Sequence, residues 1–182
     1  ALTYGGDLVQ YKPIWYPDHK VCGAGVSLPG DQAVMGRWAE SWSSSADGTV
    51  WTFRLKKGVK SYAGNEMTCE DIRWSWARAY EMKGVKFFFA QVIGLASPED
   101  VTCPDRHTVR YKIKAFNPLF LKLQAMNYYG GPFDVTEAKK HATASDPWAK
   151  EWLKNNTAGF GPYQLLRHVP GQELELVRNP HY

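Results

Sequence analysis

The stretch from Trp38 to Tyr80, WAESWSSSADGTVWTFRLKKGVKSYAGNEMTCEDIRWSWARAY, constrains the fold more than any other part of the chain. Thr49, Trp51, Phe53 and Leu55 alternate with Val50, Thr52 and Arg54, which is the period of a half-buried strand with one strongly apolar face. Asp47-Gly48 before it is a turn dipeptide, because Gly takes positive φ without steric cost and Asp tolerates it, so Trp38–Ser43 folds back as the partner strand. After Gly64 the period changes. Thr68 stands where a hydroxyl caps a helix, Asp71 three positions on reciprocates, and Glu70 and Asp71 suit the positive end of the helix dipole. The helix is expected to begin near Cys69, with Ile72, Trp76 and Ala79 or Tyr80 on its core stripe and Glu70, Arg73 and Arg78 on its wet side.

The rest of the chain reads as attachments to this unit. Ala1–Tyr11 suggests the end of a helix running into a strand, and Lys12–Asp31, rich in proline and glycine, reads as an irregular surface excursion. Val101–Lys114 reads as one strand after a turn at Pro104-Asp105, with His107, Val109, Tyr111 and Ile113 on one face. Asn117-Pro118 caps a short helix through Gln124, and Val135–Ala142 and Asp146–Asn155 read as two more. Tyr163, Leu165, Arg167 and Val169 alternate up to Pro170-Gly171, and Leu174 and Leu176 alternate on the way back, giving a second hairpin.

Two places present aromatic rings outside this scheme. Phe87, Phe88 and Phe89 are adjacent, and three consecutive rings cannot all face one core on a regular element, so at least one meets solvent, a partner or a ligand. Asn127, Tyr128 and Tyr129 open a glycine-rich aromatic loop ending at Pro132. The chain has eight Trp, ten Tyr and eight Phe among 182 residues. Most of these rings are expected in the core, and a minority on a ligand surface.

A net charge of +4 without a basic block does not point to nucleic acid. No apolar run approaches the ~20 residues of a membrane helix. Cys22, Cys69 and Cys103 have no metal-ligand spacing, and an odd count leaves at least one thiol outside any internal bridge. A Cys69–Cys103 bridge and free buried thiols both remain open. There is no GxSxG elbow, HExxH, Walker loop or GxGxxG, and the five histidines are scattered. Neither catalysis, a cofactor nor a metal site is implied.

The run Ala39-Glu40-Ser41-Trp42, Asp47-Gly48-Thr49, Trp51 to Leu55, Lys57 to Lys60, Gly64, Thr68, Glu70-Asp71 and Trp74-Ser75-Trp76 resembles the signature of family 5 extracellular solute-binding proteins, the oligopeptide-, dipeptide- and nickel-binding components of ABC importers. Ser61-Tyr62 departs from the aromatic-polar pair usual before the loop glycine, and Cys69 from the usual alanine. The tail from Gly159 resembles the family's GTGPY-like turn, strand pair and RNPxY end, with Phe160 in place of a small polar residue. FNPLFL and DPWAKEWLKNN match its spacing, so the resemblance runs from Tyr4 onward.

The resemblance implies an α+β, periplasmic-binding-protein-like partial lobe (class II, peptide-binding type), with a mixed or antiparallel sheet and hairpins packed by short helices. It implies a leading segment and surface loop over 1–36, the small subdomain of the first lobe over 37–158, and a hairpin returning to the main sheet over 159–182, with the second lobe absent. The implied function is non-enzymatic capture of a peptide or similar small solute for ABC permease subunits, in a bacterial periplasm or extracytoplasmic space. Any membrane association would come through a lipid anchor outside this chain. Phe87, Phe88, Phe89, Asn127, Tyr128 and Tyr129 are the expected ligand-facing residues. The alternative is an aromatic-rich carbohydrate-binding module or an ancillary domain of a secreted hydrolase, for which a planar array of exposed Trp would speak.

Overall fold

Alternation in Val50–Leu55 produces the central strand of a four-stranded antiparallel sheet, in a computed structural model that describes residues 7–16, 21–24, 33–126 and 131–182. Its strands are β5 (Ala39–Ser44), β6 (Val50–Leu55), β7 (Val101–Asp105) and β8 (Thr108–Lys112), in the order β5-β6-β8-β7. The register sets Trp42 opposite Phe53 and Phe53 opposite Val109. Gly48 makes the β5–β6 turn at φ 65, and a Cβ there would strike the ring of Phe116. Three short strand pairs flank the sheet. They join β1 (Val9–Tyr11) to β4 (Val34–Gly36), β2 (Pro13–Tyr16) to β3 (Val21–Ala24), and β9 (Tyr163–Val169) to β10 (Glu173–Arg178).

On the inner face Phe53, Tyr111 and Phe120 are fully buried and meet ring to ring, Phe53 lying edge-on to Tyr111 at 5.6 Å and Tyr111 to Phe120 at 5.8 Å. Helix α1 (Cys69–Met82) closes this face with Ile72, Trp76 and Ala79, as its periodicity requires. The Trp76 indole N–H donates to the Tyr111 hydroxyl at 3.2 Å, so the largest core ring keeps its polar atom satisfied. The remaining helices are α2 (Val85–Ile93), α3 (Phe120–Gln124) and α4 (Val135–Lys140).

The start of α1 is held three ways. The Asp71 carboxylate accepts from the Thr68 amide at 2.7 Å and the Thr68 hydroxyl at 2.9 Å, and the Cys69 amide donates to the carbonyl of Arg106. A disulfide joins Cys69 to Cys103 on β7, so of the two states open to the cysteines the bonded one is found. The other oxygen of Asp71 accepts from the Val135 amide at 2.8 Å, and Ser75 accepts from the Phe133 amide at 2.8 Å. Asp134 caps α4 through the Glu137 amide and is bonded by Ser61 and Asn65. Two buried carboxylates thus splice the 61–65 loop, α1 and α4.

Four expectations are corrected. Val101–Lys114 is two strands with a turn at Arg106-His107, where Asp105 accepts from the His107 amide. Pro104 misled the assignment because it lies within β7, an edge strand in which a missing amide is tolerated. The excursion after Lys12 contains the β2–β3 hairpin. Asp146–Asn155 is not an α-helix: Ala149 takes a left-handed φ of 48, Asp146 accepts from the Glu151 amide, and one turn of 3-10 helix, Trp152–Lys154, follows. Asn117 caps a turn through Leu119, and α3 begins only at Phe120.

The disulfide closes a sequence separation of 34, for which chain entropy gives about 3 to 4 kcal/mol. The Cys69→Ala/Cys103→Ala double variant should lose stability on that scale in urea unfolding, and an unchanged midpoint would show the bridge to be idle. Burial raises Asp71 to about 6, helped by the neighbouring Asp134 carboxylate and opposed by the donors from Val135 and Thr68. Native protein therefore takes up this proton more readily than the unfolded chain. The group's contribution to stability is complete below the ordinary value of 3.8 and is lost as pH rises through about 6. Unfolding free energy should fall by about 3 kcal/mol from this source between about pH 4 and about pH 7. A side-chain carboxyl resonance of Asp71 titrating near its ordinary value would contradict this.

Candidate functional site

Helix α2 begins at Gly84, which offers no capping side chain, and ends at Gly94 with φ 88. Its sequence VKFFFAQVI is apolar nearly all round, so burying one stripe leaves another outside. Ala90 and Ile93 are in the core, whereas Val85, Phe88 and Val92 face outward. The three rings divide as their adjacency demands. Phe87 packs edge-on against Tyr80 at 5.3 Å, Phe89 against Phe88 at 5.4 Å, and Phe88 is 62% exposed. Asn117 donates to the Val92 carbonyl at 2.9 Å, which brings the exposed Phe116 and Leu119 segment alongside. Asn127, Tyr128 and Tyr129 lie outside the described residues. Beyond them Gly131 and Pro132 are buried, and Phe133 is tied to Ser75.

Three polar side chains whose interaction the sequence reading passed over, Asp7, Lys86 and Tyr111, act on one another electrostatically in the interior. Asp7, just before β1, is 4% exposed. Its Oδ1 accepts from the Leu8 amide at 2.9 Å, and its Oδ2 has no partner among the described residues. The Lys86 ammonium lies 4.6 Å from the centre of the Trp76 ring, whose indole is bonded to Tyr111. Burial pushes Asp7 up and Lys86 down, and each charge partly offsets the effect on the other. Burial, and then the charge of Asp7, raises the Tyr111 phenol. The one available signal was a lysine inside a largely apolar helix; Asp7 has no comparable mark.

Two recesses lie elsewhere. Trp42, Trp51, Phe116 and Leu121 line a groove of ≈ 440 Å³ beside the edge strand β5. Tyr62, Asp134, Glu137 and Trp152 line another of ≈ 280 Å³, where Trp152 carries His141 stacked at 3.9 Å. Trp76 is fully buried and Trp42 and Trp51 pack against the core, so these three do not form a planar exposed array. Among the described residues no cluster of three His, Cys, Asp or Glu could hold a metal ion. Phe88 contributes its ring to the surface, not to the core. Phe88→Ala should change unfolding free energy by less than about 0.5 kcal/mol, whereas Phe53→Ala should cost about 3 to 5 kcal/mol. Equal losses in chemical denaturation would refute the assignment of Phe88 to the surface.

Comparison with known proteins adds the lineage. The family described as bacterial extracellular solute-binding proteins, family 5 Middle, matches residues 33–182. The probable D,D-dipeptide-binding periplasmic protein of Escherichia coli K12 is 35% identical over 156 residues, covering 84% of this chain and 28% of that protein. The periplasmic murein peptide-binding protein of the same organism is 31% identical over 159 residues, covering 79% and 28%. The unliganded open form of the periplasmic murein tripeptide binding protein superposes with a TM-score of 0.73 at 24% identity, covering 100% of this chain and 33% of that one. A binding protein in complex with mannopinic acid, from A. tumefaciens R10, gives 0.72 at 27%, covering 100% and 32%. The chain thus spans about a third of the length of these proteins, and all four are binding proteins rather than enzymes. It belongs to the family 5 bacterial extracellular solute-binding proteins.

Proposed function

We propose that this chain is part of the first lobe of a substrate-binding component of an ABC importer, a non-catalytic receptor that captures a peptide or similar small solute outside the cytoplasm and delivers it to permease subunits. The observation that carries this reading is the match over residues 33–182, joined to relatives named for binding dipeptides, murein peptides and di- and tripeptides. Such a receptor acts as a hinged clamp whose ligand is buried between two lobes. The stretch 37–158 serves as the small subdomain and 159–182 as the hairpin returning to the main sheet. In that arrangement α2 is the cleft wall, with Phe87, Phe88 and Phe89 beside the Asn127, Tyr128 and Tyr129 loop.

The chemistry of the wall supports a ligand with apolar side chains. Val85, Phe88 and Val92 offer area without hydrogen-bonding groups, so they reward burial of carbon surface and leave polar recognition to the ligand main chain. Native mass spectrometry of the full-length protein, purified without refolding, should show a co-purified peptide. Calorimetry with that peptide should show Phe88→Ala and Tyr128→Ala weakening binding at unchanged unfolding midpoint. A co-purified sugar or metal chelate in place of a peptide would overturn the ligand class, and unchanged affinity in both variants would remove α2 and the loop from the site.

A further inference from the structure

The two edges of the four-stranded sheet are built differently. Along β7, Pro104 removes an amide, the register shifts between Thr102 and Asp105, and the disulfide fastens Cys103 to the start of α1. Each of these blunts an edge against further pairing. Strand β5 has neither proline nor lysine, and its register shift lies between Ala39 and Ser41, ahead of the regular run Trp42-Ser43-Ser44. The alternation of ladder bonds settles where that run aims its backbone. The Ser45 amide donates to the Val50 carbonyl at 2.8 Å. Ser43, two residues back and opposite Thr52, therefore also faces β6, and Trp42 and Ser44 turn their amides and carbonyls away from the sheet. Among the described residues nothing bonds to these four groups.

The side chains of the same two residues point toward a groove. Directly opposed residues share a face of the sheet, so Trp42 lies with Phe53 and Ser44 with Trp51. On that face Trp42 and Trp51 form the strand side of the ≈ 440 Å³ groove, Phe116, Pro118 and Leu121 form the other side, and Lys122 is the one charged residue in its lining. Trp42 stacks on Phe53 at 6.5 Å and Trp51 on Phe120 at 5.0 Å, so the core holds the floor in place. An unpaired strand edge and an apolar groove thus meet at Trp42 and Ser44.

We propose that the β5 edge is a docking site for a short extended peptide, which joins the sheet as an antiparallel fifth strand. Its residues opposite Trp42 and Ser44 exchange both hydrogen bonds with them and drop their side chains into the groove, while the residue between, opposite Ser43, points to the other face. The sequence recognised is therefore apolar-any-apolar. An extended backbone is the one occupant that serves two amides and two carbonyls spaced two residues apart; a compact apolar molecule would fill the groove and leave the edge as it is. Lys122 gives the groove positive charge, which suits the terminal carboxylate of a short peptide. The inference rests on the peptide reading of the ligand, not on α2 as the cleft wall.

The test uses the full-length protein and the tripeptide Phe-Ala-Phe, followed by calorimetry and by hydrogen exchange resolved at single amides. Adding the tripeptide should protect the amides of Trp42 and Ser44. Ala-Phe-Ala should bind roughly ten- to a hundredfold more weakly, the scale of burying an aromatic side chain. N-methylation of the third residue's amide, which faces β5, should weaken binding roughly tenfold, and N-methylation of the second, which faces away, should leave it unchanged. Ser44→Pro deletes an outward amide without touching the bonds to β6 and should weaken binding by a similar factor. Phe116→Ala removes an exposed wall of the groove and gives the same readout should the proline variant fail to fold. Binding of Phe-Ala-Phe without protection at Trp42 and Ser44 would overturn the inference and leave the peptide reading standing. Amides already protected before any peptide is added would also overturn it, because another segment of the protein then covers the edge. Protection that persists in Phe88→Ala and Tyr128→Ala with affinity unchanged would support the β5 site and remove the α2 wall. If no tripeptide binds, the inference falls together with the peptide reading.

Discussion

Asp71 accepts hydrogen bonds from Thr68, at the start of its own helix, and from Val135, 64 positions further along. Such a carboxylate is costly to lose, because removing it leaves the buried Val135 amide and the half-buried Thr68 donors without their acceptor. The burial that raises its affinity for a proton is the burial that makes those bonds hard to break. Protonation does not dismantle the junction at once: the Thr68 hydroxyl, already within 2.9 Å, can turn from donor to acceptor. The backbone at Phe133 and Val135 is tied to Ser75 and Asp71 of one helix.

How much of this was legible depended on whether the deciding interaction was local. The β5–β6 hairpin and α1 came through because Asp47-Gly48, the alternation to Leu55, and the Thr68/Asp71 pair specify their conformations within a few residues. The β7–β8 hairpin was lost because Pro104-Asp105 has the composition of a turn, whereas the strand carries on through it with a register shift between Thr102 and Asp105, and the strand's place at the sheet edge makes this harmless. Asp146-Pro147 has the local chemistry of a helix start, but the chain turns at Ala149 into a left-handed conformation with a buried methyl. No pattern along the sequence announces that choice.

The site divides along the same line. Adjacency alone settles that one ring of Phe87, Phe88 and Phe89 must be outside, but not which, since the helix phase is set by Ala90 and Ile93 meeting the core. Asp7 and Lys86 stand 79 positions apart, and nothing in either neighbourhood names the other. Ser61 shows a middle case. It is visible as a departure where an aromatic residue is usual, and the structure supplies the reason in its bond to the Asp134 carboxylate, a partner 73 positions away.

The bond between Cys69 and Cys103 also bears on how the chain matures. A polypeptide delivered N-terminus first to an oxidising compartment presents Cys22 and Cys69 to the oxidant before Cys103 arrives. Within these residues, a Cys22–Cys69 pairing is open before the native one. Reaching the native bond from there requires a thiolate at Cys103 to attack the mixed pair, release Cys22 and take its place on Cys69. Non-covalent closure of the hairpin onto α1, through the Cys69 amide and the Arg106 carbonyl, brings the attacking sulfur to the correct target. The native bond thus depends on the same backbone contact that seats β7 and β8 on the start of α1.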